Sequence, residues 1–235
     1  MKNVLSAIAL LSVVSFGPGA IAADMSLKAK PFAPSAPSWS GIYFGGQAGY
    51  SAATASHTHT STSGFVEDFS FHPESFIGGA HAGVQGQWSN WVLGIEGSFN
   101  WTHLHEVRVS VLRPPSFKTF ELDDIGSVVG KAGIAANEWL IYAKGGWAYA
   151  NIRTEGTNPV NGSIAAPRQW QNGWTVGAGA DYLLAANWVL GGDFNYYRFG
   201  FDRSGVASTG GTAYWTNAKA NVYAATGRIS YKFGL

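Results

Sequence analysis

The feature that most constrains the fold is an alternation of apolar residues with small or polar ones, which runs from Trp39 almost to the carboxyl end. In the first segment, Ile42 and Phe44 share one face of an extended chain, whereas Gln47 and Ser51 share the other. A period of two is typical of a half-buried strand and excludes a helical bundle. The pattern recurs in segments of roughly ten residues, the length at which a tilted strand crosses a bilayer. The eight segments are 42–51, 76–88, 93–101, 127–134, 141–149, 174–182, 188–196 and 223–233.

The connections between these segments distinguish a membrane barrel from a soluble sandwich. Short turns near 88–91, 135–139 and 184–188 alternate with long polar segments near 52–75, 102–124, 151–172 and 200–220. This order is typical of an all-β, eight-stranded antiparallel up-and-down transmembrane barrel with short periplasmic turns and four long extracellular loops. Because lipid offers no hydrogen-bonding partner to a free strand edge, we expect the first strand to close on the eighth.

Composition narrows the possible functions. Only 12% of the residues are charged, about half the roughly 25% of an ordinary soluble domain. The formal net charge is +1, so no bulk charge attracts nucleic acid. The chain has no cysteine, which excludes disulfides, iron–sulfur clusters and thiol catalysis.

The amino terminus carries the three parts of a secretory signal: a lysine, a short apolar run and an A-x-A site. We expect a signal peptide at 1–22, with cleavage after residue 22 or 23. Three prolines favour an extended periplasmic lead-in at 23–38, since proline does not pair in a central strand. The barrel domain is then 39–235. Export combined with the strand pattern predicts the outer membrane of a Gram-negative cell.

Charged residues fall mostly on the face opposite the apolar one, where they point into the lumen. They are Glu96, Lys131, Lys144, Asp181, Asp193, Arg228 and Lys232. Eight strands enclose a lumen just wide enough for side chains. Since both signs of charge are present, we expect these groups to pair and the lumen to be plugged. A small-solute channel remains the alternative.

Tryptophans stand beside the three short turns. They are Trp88, Trp91, Trp139 and Trp188. Aromatic side chains of this kind sit at membrane–water interfaces, so we expect a ring of them at the periplasmic boundary.

Four stretches carry a resemblance to a known family. "SWSGIYFGGQAGYS", "NWVLGIEGSFNW", "WLIYAKGGWAYA" and "GWTVGAGADYLLAANWVLGGDFNYYRFG" resemble the small porin-family, outer-membrane immunogenic barrel proteins of alpha-proteobacteria. The resemblance implies a mainly structural role in the envelope, with exposed loops that offer a surface to host or environmental ligands. It implies contact with outer-membrane lipids, lipopolysaccharide and the barrel-assembly machinery. It also implies that Tyr231 and Phe233, near the carboxyl end, serve as the assembly signal. The oligomeric state is left open.

Histidines provide an alternative function. His57 and His59 lie in the first long segment, and His103 and His105 follow the third strand. A His-x-His pair on a strand puts both rings on one face, which suits a metal ion or a haem. The alternative is therefore a barrel that binds haem or metal, although exposed loop histidines are the simpler interpretation and we expect no cofactor.

Two enzyme interpretations are weaker. "GAGAD" around Gly177 and Gly179 has the spacing of a phosphate loop, but the alternation runs through it and no helix pattern follows. If Ser89-Asn90 is a two-residue turn, His81 faces Ser98, with Glu96 nearby, a set that suggests nucleophilic hydrolysis. Such residues are also ordinary fillers of a lumen, so we expect no catalytic residue and no enzymatic activity.

Overall fold

The architecture is taken from a computed structural model. It describes residues 38–61, 66–109, 117–158, 162–165, 169–185, 187–205 and 214–234. All of the described residues belong to one compact unit, Ala36–Leu235. The expected signal peptide and most of the lead-in therefore lie outside the described residues. Within those residues, no helix is long and apolar enough to cross a membrane.

The described part of the chain consists of ten antiparallel strands in one sheet. Eight form the wall: β1 (Gly41–Ser61), β3 (Glu74–Trp88), β4 (Trp91–Val109), β5 (Phe117–Ala136), β6 (Trp139–Asn158), β8 (Gln169–Leu183), β9 (Trp188–Gly205) and β10 (Tyr214–Phe233). Two short strands, β2 (Val66–Phe71) and β7 (Gly162–Ala165), pair with β1 and β6 respectively.

The wall closes as expected. Each wall strand pairs with the next along the chain, and β1 pairs with β10 from Ile42 opposite Phe233 to Ser61 opposite Tyr214. The tight turn at Ser89-Asn90 and a second one at Asn137-Glu138 join neighbouring strands, and Ser89 and Asn137 adopt positive φ there. Closure satisfies the backbone of both edge strands, which confirms the all-β, eight-stranded barrel.

The outer face of the wall is apolar over the half nearer these turns, and we call this zone the apolar belt. Its members are exposed and include Ile42, Phe44, Val84, Ile95, Val128, Ile134, Ile141, Val176, Leu190, Phe194 and Ile229. Buried polar residues such as Gln47 and Glu96 alternate with them and point inward. The face assignment made from the period-two pattern is confirmed.

The strands are longer than the roughly ten residues that the pattern predicted. They run for 15 to 21 residues, so they extend far into the segments that were expected to be long polar loops. Residues 52–61 continue β1, 102–109 continue β4, and 117–124 already belong to β5. The predicted strand length of roughly ten residues was therefore too short, because polar composition was taken as evidence against strand structure.

The hydrophobic pattern inverts above the apolar belt. On β4, His103 and His105 are exposed whereas Leu104 between them is fully buried. The buried residues of this end form the upper apolar cluster. Its larger members are Phe71, Ile77, Leu104, Phe120, Leu122, Ile125, Ile152, Tyr197, Phe199 and Val222. A wall surrounded by water needs a polar outside and an apolar core, so the inversion marks the height at which the barrel leaves lipid.

An aromatic ring stands at the height of the inversion. Its exposed members are Tyr50, Phe76, Trp101, Trp147, Trp174 and Tyr223. On β10, ten residues separate Tyr223 from Phe233 at the opposite end of the belt. At about 3.3 Å per residue and a tilt near 40°, they span roughly 25 Å, the height of a transmembrane apolar band. The pattern predicted only the ring beside the short turns.

The upper apolar cluster predicts where the barrel is most sensitive to truncation. Leu104→Ala removes a fully buried side chain and is expected to lower the free energy of unfolding by about 2–5 kcal/mol. Val107→Ala, on the same strand but 47% exposed, is the matched control and should cost about 0.5 kcal/mol or less. Urea titration of barrels folded in lipid vesicles measures both. Equal effects would show that this end is not a packed core.

Candidate functional site

The candidate site is a layer of charged side chains in the middle of the lumen. Every second residue of each wall strand points inward, so eight strands bring one or more polar groups to the same height. The layer holds three carboxylates and three cations. They are Glu96 on β4, Lys131 on β5, Lys144 on β6, Asp181 on β8, Asp193 on β9 and Arg228 on β10. All six side chains are at most 7% exposed, so the layer is almost closed to solvent.

Arg228 is the centre of this layer. Its Nη2 donates to Glu96 Oε2 across the lumen, and its Nη1 donates to Asp193 Oδ2 at 2.9 Å and to the Tyr142 hydroxyl at 3.1 Å. Lys144 adds a second cation between the same carboxylates, with Nζ 3.2 Å from Glu96 Oε1 and also bonded to Asp193. Two carboxylates therefore share two cations, and the buried charges are neutralised within the barrel.

The second part of the layer surrounds Asp181. Lys131 Nζ donates to Asp181 Oδ2 at 2.9 Å and lies 3.8 Å from the centre of the Tyr142 ring, a cation–π contact. On the other side, the Tyr43 hydroxyl donates to Glu96 Oε2 at 2.9 Å. The two tyrosines thus connect the ion pairs into one network that spans the lumen.

Lys232 is the predicted charge that does not join this network. Its ammonium donates to the backbone carbonyl of Ser38. It lies nearer the short turns, beside Trp39, which is 1% exposed and packs inside that end of the barrel with Val92, Leu140 and Val189. The end of the proline-rich segment therefore enters the barrel mouth.

The hydrolytic set suggested by the sequence is not assembled. His81 and Ser98 are register partners as predicted, yet each side chain bonds elsewhere. His81 Nε2 lies 2.7 Å from the Ser230 hydroxyl, and Ser98 Oγ lies 2.8 Å from Ser127 Oγ. The third member of the set, Glu96, is held by Arg228, Lys144 and Tyr43. The three groups are separate parts of the lumen packing. Gly177 and Gly179 lie within β8, and the neighbouring residues that the structure describes form strands and turns.

The structure describes the side chains of one of the two predicted histidine pairs, His103 and His105. The His103 and His105 rings lie on the same outer face, stacked at 5.8 Å, and His103 Nδ1 is 3.0 Å from Asp123 Oδ1. Within the described residues, no three side chains of the metal-binding types come together. His57 and His59 belong to β1, but their side chains lie outside the described part of the structure.

The four tryptophans stand on the outer face beside the short turns, between 47% and 63% exposed: Trp88, Trp91, Trp139 and Trp188. Near the carboxyl end, Tyr231 and Phe233 form an aromatic group with ring centres 4.9 Å apart. Phe44 stacks on Phe233 across the closing seam at 5.7 Å. Both residues therefore lie where the last strand meets the first.

Three interior residues were missed by the sequence analysis: Tyr43, Tyr142 and Trp39. The alternation does place Tyr43 and Tyr142 on the inward face, but aromatic residues were expected on the lipid side. In the structure both side chains are buried, and each hydroxyl bonds a charged side chain of the lumen. For Trp39, which precedes β1, the sequence carries no such signal.

The ion-pair network predicts that substitutions of Arg228 and Glu96 have non-additive effects on the free energy of unfolding. Arg228→Met leaves Glu96 and Asp193 with one cation instead of two, and is expected to destabilise the barrel by about 3–5 kcal/mol. Adding Glu96→Gln removes the surplus charge and should restore part of the loss, which urea titration detects as non-additivity. Arg108→Gln, which breaks the exposed pair with Glu106, is the control and should cost about 1 kcal/mol or less. Simple additivity would contradict the coupling.

Comparison with known proteins agrees with this architecture. Residues 9–233 match the family described as the outer membrane protein beta-barrel domain. The 31 kDa outer-membrane immunogenic proteins of Brucella melitensis biotype 1 and Brucella suis biovar 1 are each 29% identical over 221 residues, covering 85% of this chain and 88% of the relative.

Solved structures with a similar path include the outer membrane protein OprG of Pseudomonas aeruginosa. It is 12% identical, with a TM-score of 0.44 and coverage of 83% of this chain and 97% of that chain. Neisserial surface protein A is 14% identical, with a TM-score of 0.38 and coverage of 83% and 98%. The family match extends from the amino-terminal segment to the last wall strand. The chain thus belongs to the outer membrane protein beta-barrel domain family, and it is a protein of the Gram-negative outer membrane.

Proposed function

We propose that this protein is a structural, non-enzymatic barrel that stabilises the outer membrane and displays a rigid extracellular surface, with its lumen plugged by side chains. The observation that carries the proposal is the sequence of three closed layers along the lumen. Apolar side chains around Leu104 and Phe199 fill the extracellular end, the ion-pair network around Arg228 fills the middle, and Trp39 fills the periplasmic mouth.

Each layer opposes passage of solutes for a different reason. In the described part of the extracellular end, the upper apolar cluster offers few groups that could replace the water shell of a hydrated solute. In the middle, a passing ion would have to displace Lys144 or Arg228 from buried carboxylates, which costs several kcal/mol. Three successive barriers favour a plug over the alternative of a small-solute channel.

The upper part of the wall supports a display role. Strands that continue past the lipid, with a dry core inside them, hold the loop tips at a defined distance from the bilayer. A rigid support lowers the conformational entropy lost when a partner binds to the tips. Host and environmental surfaces are the partners that this position makes accessible.

The aromatic group at the seam supports an assembly role. Tyr231 and Phe233 project outward from the last strand, and Phe233 packs on Phe44 of the strand with which it closes. We infer that the barrel-assembly machinery reads this aromatic pair before closure, since the pair is then free of its β1 partner.

Electrical recording tests the plug. Barrels inserted into planar bilayers are expected to give no stable unitary conductance, whereas a large porin added to the same bilayer serves as the positive control. Barrels are checked beforehand for a gel mobility that changes on boiling. Large, stable conductance steps from barrels that pass this check would overturn the plugged lumen and favour the channel.

A further inference from the structure

A groove interrupts the outer face of the wall at the height of the upper aromatic ring. It has a volume of about 850 Å³ and lies across β10, β1, β3 and β4. Small residues form its floor: Ala48, Gly78 and Ala225. Aromatic residues form its walls: Tyr50, Phe76 and Trp101. Tyr50 and Phe76 meet edge to face at 5.6 Å, which makes one wall rigid.

The position of the groove determines what can fill it. It is continuous with the apolar belt, which contacts lipid in this outer-membrane protein. If the groove were empty, its lining residues would lose dispersion contacts. Water is a poor occupant because the apolar floor offers it no hydrogen bonds. A flexible acyl chain from the extracellular leaflet is the occupant that the surroundings supply.

Two cations lie above the groove, one on β10 itself and one on the neighbouring β9. Arg198 on β9 is exposed and lies opposite Asn221 of β10, just above Tyr196 and Tyr223. Lys219 is exposed two residues further along β10, and its long side chain can reach down towards the ring. Neither forms an ion pair with a described side chain, so both charges are available to a ligand.

The β3–β5 side of the groove differs in charge. There Glu74, Asp123 and Asp124 stand near the same height, and each already has a partner within the protein. Tyr50 donates to Glu74, which holds that carboxylate on the β3 side of the groove. A negatively charged headgroup is therefore attracted to the β9–β10 side and repelled from the β3–β5 side.

We propose that the groove and the two cations form one binding site for lipid A, the phosphorylated and acylated anchor of lipopolysaccharide. On β10 the outward residues change upward from Ala225 through the aromatic Tyr223 to the cationic Lys219, an order that matches acyl chain, interface and phosphate. Arg198 supplies a planar donor suited to a phosphate. The inference rests on the proposed function, since it requires the barrel to stand in the outer membrane with its long strands outward.

The test measures retention of purified lipids by barrels in mild detergent, with native mass spectrometry as the readout. The three probes are bisphosphorylated lipid A, dephosphorylated lipid A and phosphatidylglycerol. One bound bisphosphorylated lipid A per barrel is expected, with clearly weaker retention of the other two. Phosphatidylglycerol retained equally well would overturn the assignment to lipid A, and equal retention of dephosphorylated lipid A would remove the role of the cations.

Matched variants separate the two halves of the site. Arg198→Gln with Lys219→Gln should weaken retention on the order of 30-fold, the effect expected of two basic residues at a membrane surface. Arg108→Gln with Arg153→Gln removes the same charge from β4 and β6, where both cations already form ion pairs within the protein, and should leave retention unchanged. Equal loss in the two double variants would overturn the site.

The groove has its own variant and control. Ala225→Phe fills the floor and should abolish retention of a single tightly held lipid, whereas Ala178→Phe, on the outer face of β8, should not. Only variants whose gel mobility still changes on boiling are compared. Conductance recordings on the same barrels decide the plugged lumen independently, so a lost lipid site and an open lumen are distinguishable outcomes.

Discussion

The need to pair every backbone group within lipid is the constraint on which the rest of the structure depends. It forces β1 onto β10, and closure with eight strands sets a lumen that side chains can fill from wall to wall. Closure also divides each strand into an outward and an inward set of residues. Every later feature, from the apolar belt to the Arg228 network, follows from which solvent each set meets.

The wall meets two solvents, and its sequence changes at the boundary. Within lipid the outside is apolar and the lumen holds ion pairs, because charges cannot face hydrocarbon. Beyond the aromatic ring at Tyr50 and Trp101, polar residues such as His103 and His105 stand outside, and Leu104, Leu122 and Phe199 pack inside. The same backbone sheet thus serves as a membrane barrel below and as a water-soluble barrel above. This change extends the same wall beyond the lipid.

Much of the fold could be predicted from the alternation of apolar residues with small or polar ones. Strand number, antiparallel order, closure, the Ser89-Asn90 turn and the opposition of His81 to Ser98 all follow from counting alternate residues. The method failed at residues 52–61 and 102–109, which it assigned to long polar loops although they continue β1 and β4. Where the wall passes from lipid into water, the alternation continues, but the apolar residues now face inward. The local sequence pattern alone does not identify the residue at which this reversal occurs.

The sequence by itself determined the face of each residue, because the pleat permits only two directions. It therefore determined that Glu96, Asp193 and Arg228 point inward. Only the tertiary structure decided which of them meet, since partners such as Glu96 and Arg228 stand on strands that are not neighbours. Their distance depends on the stagger and diameter of the closed wall. The same holds for Trp39 in the mouth and for the groove at Ala225, where residues from four strands come together only after closure.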